Sequence, residues 1–384
     1  MDLLRDLRLS RAPASAFAAM GLFWGGFAAL VPDLKPQAGL SDAGFGLAML
    51  LSTFGALAAM WLAPALDARV GRRLLPVLTA LMAGAFLLPG MATAPLAFAL
   101  AMTCAAATCG LLDVVMNARV AALEAAHRRP LMNLDHGMYS LVYAGAALAT
   151  GAAREMGASP STVFAALAVA ALGCIAIMLT APPGQGEARG AEATGAAPGW
   201  AMVIPAGLVV LIGFMAEVGT EGWSALYLER EIGAGAAAGA VGPALLGLTM
   251  FVGRISGQSL SRRLSEVAVL RTGAAVAAAG AILAASAQSV APAYAGFAVL
   301  GAGVSVIVPT GIAWLSARVP EARRAQAISR VSLVGYIGFF AGPPMMGGLS
   351  ELLGLGAAFA AVGVMLLLVP VLLVPMLARH RLAV

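Results

Sequence analysis

The chain is a succession of apolar runs. Twelve of them follow one another, at 14–34, 43–66, 74–94, 96–119, 136–157, 160–181, 200–228, 242–261, 267–288, 291–317, 326–350 and 356–378. Each is close to the ~20 residues that carry a helix across a bilayer. Backbone in hydrocarbon must satisfy its own polar groups, so such runs fold as helices. Pro89, Gly90 and Pro95 mark the turn between the nearly continuous third and fourth runs. Of the 384 residues, 61% are hydrophobic and 11% charged, against about a quarter charged in a soluble domain. That is too little polar surface to cover a water-soluble globule, so the main solvent is expected to be lipid. The 46 glycines suit close helix packing there.

The charges test this layout. With the N-terminus inside, the inside segments hold Arg5, Arg8, Arg11, Arg69, Arg72, Arg73, Arg119, Arg128, Arg129, Arg189, Arg262, Arg263, Arg271, Arg318, Arg323, Arg324, Arg330, Arg379 and Arg381. The outside segments hold only Lys35, Arg154 and Arg230, and Arg254 lies within the eighth run. Such an asymmetry places both termini in the cytoplasm. It also gives the net charge of +5 a topological meaning. No folded basic face gathers the arginines, so no nucleic-acid partner is expected. The start, MDLLRDLRLSRAPAS, leads straight into a full-length run, and no cleavable signal peptide is evident.

Residues 182–199 have no large apolar side chain and read as a flexible cytoplasmic linker. They divide the chain into an N-terminal six-helix bundle, 1–181, and a C-terminal one, 200–384. A weak repeat supports the division: SLVYAG at 140–145 recurs as SLVGYIG at 332–338, in the fifth and eleventh runs. The expected fold is therefore an all-α polytopic membrane protein, twelve transmembrane helices in two six-helix bundles. Two such halves suit a transporter with its site between them.

The loop after the second run reads APALDARVGRR, residues 63–73. Together with the twelve runs and the polar middle, it resembles the major facilitator superfamily, whose corresponding loop is G-x3-D-R-x-G-R-R. Asp67, Gly71, Arg72 and Arg73 match. Ala63 stands for the leading Gly, and one extra residue separates Asp from Gly. The loop after the eighth run, GQSLSRRL at 257–264, has Ser261 where an Asp is common. LVPDLKPQAGLSDAGFGLAMLL, RRPLMNLDHGMYSL, EGWSALYL, GAGVSVIVPT and GYIGFFAGPPMMGGLSELLGL are similar to the fucose-permease-like bacterial branch, most of whose substrates are unknown. One departure is Gly222, which precedes Trp223 where the branch often has an acid; here the acid is Glu221. The resemblance implies the major facilitator fold in a bacterial inner membrane. It also implies import of a small polar solute such as a sugar, with protons, by a monomer. Asp67 and Arg119 become a gate pair by analogy, alongside Gly71, Arg72 and Arg73.

Several residues could carry the chemistry. Glu217 and Glu221 sit four apart in the seventh run, on one helix face. Intramembrane acids often mark proton or substrate pathways; alternatively they face water or cap a neighbouring helix. Asp113 and Asn117 repeat that spacing in the fourth run, and Asp113 either pairs with an inner-side arginine or binds substrate or proton. Arg254 requires an anionic partner, Glu217 or a substrate carboxylate, unless it snorkels to the surface. His136 can switch charge near working pH, or makes an interfacial contact. Trp24, Tyr336 and Tyr143 are candidate cavity aromatics. Trp223 and Trp314, near run ends, are expected as interfacial anchors. GLFWG, GRISG and GFFAG suggest close helix packing. Pro309 and the Pro343–Pro344 pair are expected to kink the tenth and eleventh runs.

Other classes find no support. Cys104, Cys109 and Cys174 lie in apolar runs without a CxxC spacing, and no metal motif exists. The only lysine is Lys35, so no P-loop is possible. No cofactor and no enzymatic constellation is expected. The reading is a secondary active transporter. Two other readings stay open: an exporter of drugs or metabolites, and a non-transporting membrane sensor.

Overall fold

The computed structural model describes residues 3–181, 199–261, 264–320 and 323–379. The linker expected at 182–199 lies outside them except for Gly199. So do Arg189, Arg262, Arg263, His380 and Arg381.

Among the described residues, twelve helical spans alternate in direction. They are α1 (Arg11–Gln37), α2 (Asp42–Met60), α3 (Leu74–Ala85 with Leu87–Met91), α4 (Pro95–His127), α5 (Met132–Glu155) and α6 (Pro160–Leu179). The second half holds α7 (Trp200–Arg230), α8 (Val241–Ser261), α9 (Glu266–Ala285), α10 (Val290–Val304 with Ile307–Ser316), α11 (Arg324–Leu353) and α12 (Leu355–Leu368, continuing to Ala378). Serines start three of them: Ser41, Ser159 and Ser265 accept from the amides of Gly44, Thr162 and Ala268, donors that a helix start otherwise leaves orphaned. Short helices at Leu3–Leu9, Ala63–Val70 and Ala236–Gly239 flank them. The alternation brings Arg5, Arg8, Arg11, Arg69, Arg72, Arg73, Arg128, Arg129, Arg318 and Arg323 to one end of the bundle.

Among the described residues, ten stretches are long and apolar enough to cross a membrane by length and composition. The two spans outside that set are α5 and α11. The first carries Asn133, Asp135, His136, Arg154 and Glu155; the second carries Arg324, Gln326, Arg330 and Glu351. These two occupy the same place in the six-helix repeat, and both sit on the seam between the halves. There α5 packs on α8 and α11 on α2, with α1 touching α7. Polar spans are tolerable at a protein–protein seam because their groups find partners there. Side chains turned outward are apolar, such as Val169, Leu172, Leu179 and Val371, as lipid contact requires.

Close packing follows the small residues. A Cβ on Gly21 or Gly25 would collide with the carbonyl of Tyr139 or Tyr143, so α1 lies directly on the α5 backbone. The tenth span breaks at Ser305–Val306 and restarts with Pro309 in its first turn, where the missing amide costs least. By contrast, α11 continues through Pro343 and Pro344 without interruption. A Cβ on Gly46 of α2 would strike the Pro343 carbonyl, so this stretch is pressed against the facing helix.

Candidate functional site

A polar chain crosses the seam and joins four helices. On α7, Glu217 Oε1 lies 3.4 Å from Arg254 Nη2 on α8. On α5, Arg254 Nη1 donates to the Ser140 hydroxyl and, at 3.3 Å, to the His136 carbonyl. His136 Nε2 is 3.3 Å from Asn117 Oδ1 on α4. Asn117 Nδ2 donates to Asp113, to the carbonyl at 2.9 Å and to the carboxylate at 3.0 Å. With its amide nitrogen spent on Asp113, Asn117 offers Oδ1 as an acceptor, so His136 donates from Nε2.

Five residues singled out from the sequence thus fall into one network: Glu217, Arg254, His136, Asn117 and Asp113. Arg254 turns inward to these partners and does not snorkel. Among the described residues Asp113 is held by Asn117, not by an arginine. The Glu217 and Arg254 side chains keep 15% and 18% of their exposure, so solvent in the seam reaches the pair. Glu221 lies one turn further along α7 and makes no hydrogen bond or ion pair with the described residues. Carboxylates therefore outnumber the one arginine here.

Aromatic side chains surround the chain. His136 sits 4.6 Å from the Phe17 ring. Tyr139 and Tyr143 lie 5.9 Å apart. Tyr143 is 1% exposed, buried rather than open to a cavity, and its hydroxyl has no hydrogen-bond partner among the described residues. Trp24 stands edge-on to Phe27 and Phe86, and Tyr336 stacks on Phe214 at 5.9 Å. Trp223 and Trp314 are buried, contrary to the expected interfacial anchoring. Trp223 meets Phe45 edge-on at 5.2 Å across the seam, and the Arg318 guanidinium covers the Trp314 ring at 4.4 Å. Helix α7 extends beyond Trp223 to Arg230, which puts that ring inside the bundle.

At the arginine-rich end, Arg119 pairs with Asp67 and donates to the Gly71 carbonyl at 3.2 Å. Gly71 has φ +59°, a backbone conformation that glycine adopts without strain, and Arg72 and Arg73 follow on the exposed surface. All five residues belong to one half, so this pair does not itself bridge the seam.

The opposite end is closed by charges that the sequence left as exceptions. Arg154 on α5 uses all five N–H donors. Two go to Asp33 on α1, at 2.6 and 2.7 Å, and two to Glu229 on α7, at 2.6 and 2.9 Å. The fifth goes to the Ala29 carbonyl at 2.7 Å. Arg230 on α7 grips Asp42 on α2 with two bonds, at 2.9 and 2.8 Å, and donates to Ser350 on α11 at 2.9 Å. Lys35 Nζ lies 2.5 Å from Asp42. Both arginine clamps tie one half to the other. Their sequence signal was three basic residues, Lys35, Arg154 and Arg230, on an end otherwise cleared of them, two of them beside glutamates.

The chain has relatives. The family model for the Major Facilitator Superfamily matches residues 260–382. An uncharacterised MFS-type transporter of Yersinia pestis is 32% identical over 364 residues, 92% of each chain. Two solved structures share the fold. The nucleoside transporter NupG superposes with a TM-score of 0.71 at 14% identity, over 99% of both chains. A D-xylose–proton symporter gives 0.69 at 15% identity, over 96% of this chain and 97% of the other. Identity at that level over almost the whole length, on this fold, places the chain in the major facilitator superfamily, as a membrane transporter and not an enzyme.

Proposed function

We propose that this chain imports a small polar solute such as a sugar, together with protons, by alternating access, as a monomer in a bacterial inner membrane with both termini cytoplasmic. The charge asymmetry supports that orientation. The observation that carries the reading is the Glu217–Arg254 pair, set in the seam and bonded to the other half through Ser140 and His136. The two units that move against each other are the N-terminal bundle, 1–181, and the C-terminal bundle, 200–384.

A proton placed on Glu217 removes the charge that holds Arg254 toward α7. Arg254 then leans on its α5 partners alone, so the balance of contacts across the seam changes with the proton. Glu221 offers an acceptor to a solute in the same region. With the far end closed by Arg154 and Arg230, solute reaches the seam from the arginine-rich, cytoplasmic end. This is the inward-facing member of the transport cycle. Asp67 and Arg119 brace the loop at that entrance. An exporter of apolar compounds would need an apolar cavity without convergent polar groups, and this seam is lined by them. A nucleoside is a second polar solute to test, because a structural neighbour is named for nucleoside transport.

Uptake into proteoliposomes tests the reading. Labelled monosaccharides, sugar acids and nucleosides are offered with an imposed inside-alkaline pH gradient. Accumulation that collapses with a protonophore supports it. Uptake indifferent to the gradient, or efflux of lipophilic cations alone, contradicts it.

A further inference from the structure

At the closed end, two glutamates make the same contact in the two halves. Glu155 is the last residue of α5, and its Oε2 accepts from the Ala237 amide at 3.0 Å. Ala237 lies in the first turn of the short helix that leads into α8. Glu351, near the end of α11, accepts with Oε2 from the amides of Asp42 at 2.8 Å and Ala43 at 3.2 Å, the first two residues of α2. The spans correspond: α5 with α11, and α8 with α2. Exchanging the halves therefore exchanges the two contacts. The preceding residues correspond too. Arg154 comes before Glu155 and reaches Glu229 on α7. Ser350 comes before Glu351 and meets Arg230 on α7 and Asp42 on α2.

A carboxylate on first-turn amides satisfies donors that the helix leaves open, and at the long helix α2 it also meets the positive end of the dipole. Such charge-assisted bonds are directional and short in range, so they are lost when the helix ends part. Both contacts run between halves, and the internal packing of either half does not need them. Glu231 gives an internal comparison. It makes the same kind of contact, to the amides of Leu355 at 2.5 Å and Gly356 at 2.9 Å, but wholly within the C-terminal half.

We propose that Glu155 and Glu351 are paired latches that set how readily this end of the transporter opens. Each holds the start of one helix of the other half, and both must release together for the halves to separate there. The proposal rests on alternating access but needs no substrate, so its test is independent of the solute.

The test is the distance between spin labels at Ser161 and Gln288, exposed positions at this end on opposite halves. It is measured by pulsed electron resonance in lipid nanodiscs, with Cys104, Cys109 and Cys174 replaced by alanine. Glu155→Gln and Glu351→Gln are each expected to move the closed-to-open ratio about tenfold toward long distances, and the double variant by about the product. Glu231→Gln should leave the distribution at wild type. Thermal unfolding is followed for every variant. Unchanged distances in both latch variants, with or without a lower Tm, would mean the contacts are only structural. A shift matched by Glu231→Gln would mean the same. Loss of folded protein in the latch variants would also overturn the proposal, because the packing of each half does not depend on a latch between them.

Discussion

Glu217 and Arg254, on neighbouring helices of one half, are 3.4 Å apart, and the same guanidinium bonds Ser140 and the His136 carbonyl of the other half. One cation thus touches groups on both sides of the seam. Glu217→Gln mimics the protonated acid permanently. Proton-driven uptake should fall by about ten- to hundredfold, the range of a lost charge-assisted bond. Exchange of solute at equal pH on both sides should persist. Loss of both activities in parallel would make Glu217 a binding residue without a coupling role.

Arg154 is the most fully engaged cation described, with its side chain 3% exposed. Arg154→Ala strands two carboxylates. Breaking a buried pair costs about 3–5 kcal/mol, and the low end applies because Asp33 keeps 39% of its exposure. Thermal unfolding should show the loss. In a double-mutant cycle, Arg154→Ala and Glu229→Ala should be non-additive by about 2 kcal/mol. Additive effects would show that the clamp carries little energy across the seam.

Tyr143 separates stability from function. Its hydroxyl is buried and unpartnered among the described residues. Removing such a group is neutral or stabilising, so Tyr143→Phe should keep Tm or raise it slightly. Because the ring is closed off from the seam, the KM for uptake should stay at wild type. A KM raised several-fold, on the order of one lost hydrogen bond, would contradict that placement.

Gly25 tests the packing of α1 on α5. A Cβ there would strike the Tyr143 carbonyl, and backbone cannot give way as a flexible side chain does. Gly25→Ala should destabilise by about 1–3 kcal/mol, the usual cost of overpacking. Gly84→Ala, where a Cβ meets nothing within 4 Å, is the matched control and should be silent in the same melt.

The spans were legible because their length is imposed by the bilayer and their helical form by the absence of water. Each run had to become a helical span, unbroken or, as in α3 and α10, in two pieces. The fifth and eleventh runs are less apolar than the other ten, and Arg154 and Glu351 on them find partners across the seam. The acids of α7 and α4 were legible as costly groups that need a reason, and Arg254 as a cation that needs a partner. The closing charges were not. Arg154 finds its partners 121 and 75 positions away, and Arg230 finds Asp42 at a separation of 188. Nothing local in the chain announces such pairings. From the sequence they are only exceptions to a charge rule. Trp223 misled for a similar reason: its distance from the run's end suggested an interface, while its ring belongs to a contact with Phe45 on another helix.

Transport current on a solid-supported membrane is the measurement to make. Proteoliposomes holding wild type or Glu217→Gln receive rapid jumps of sugars, sugar acids, nucleosides and amphiphilic cations. A polar solute should evoke inward charge movement in wild type, and the Glu217→Gln protein should bind that solute without sustained current. Sustained, equal currents in both proteins, or current with amphiphilic cations alone, would contradict proton-linked import through the Glu217–Arg254 pair.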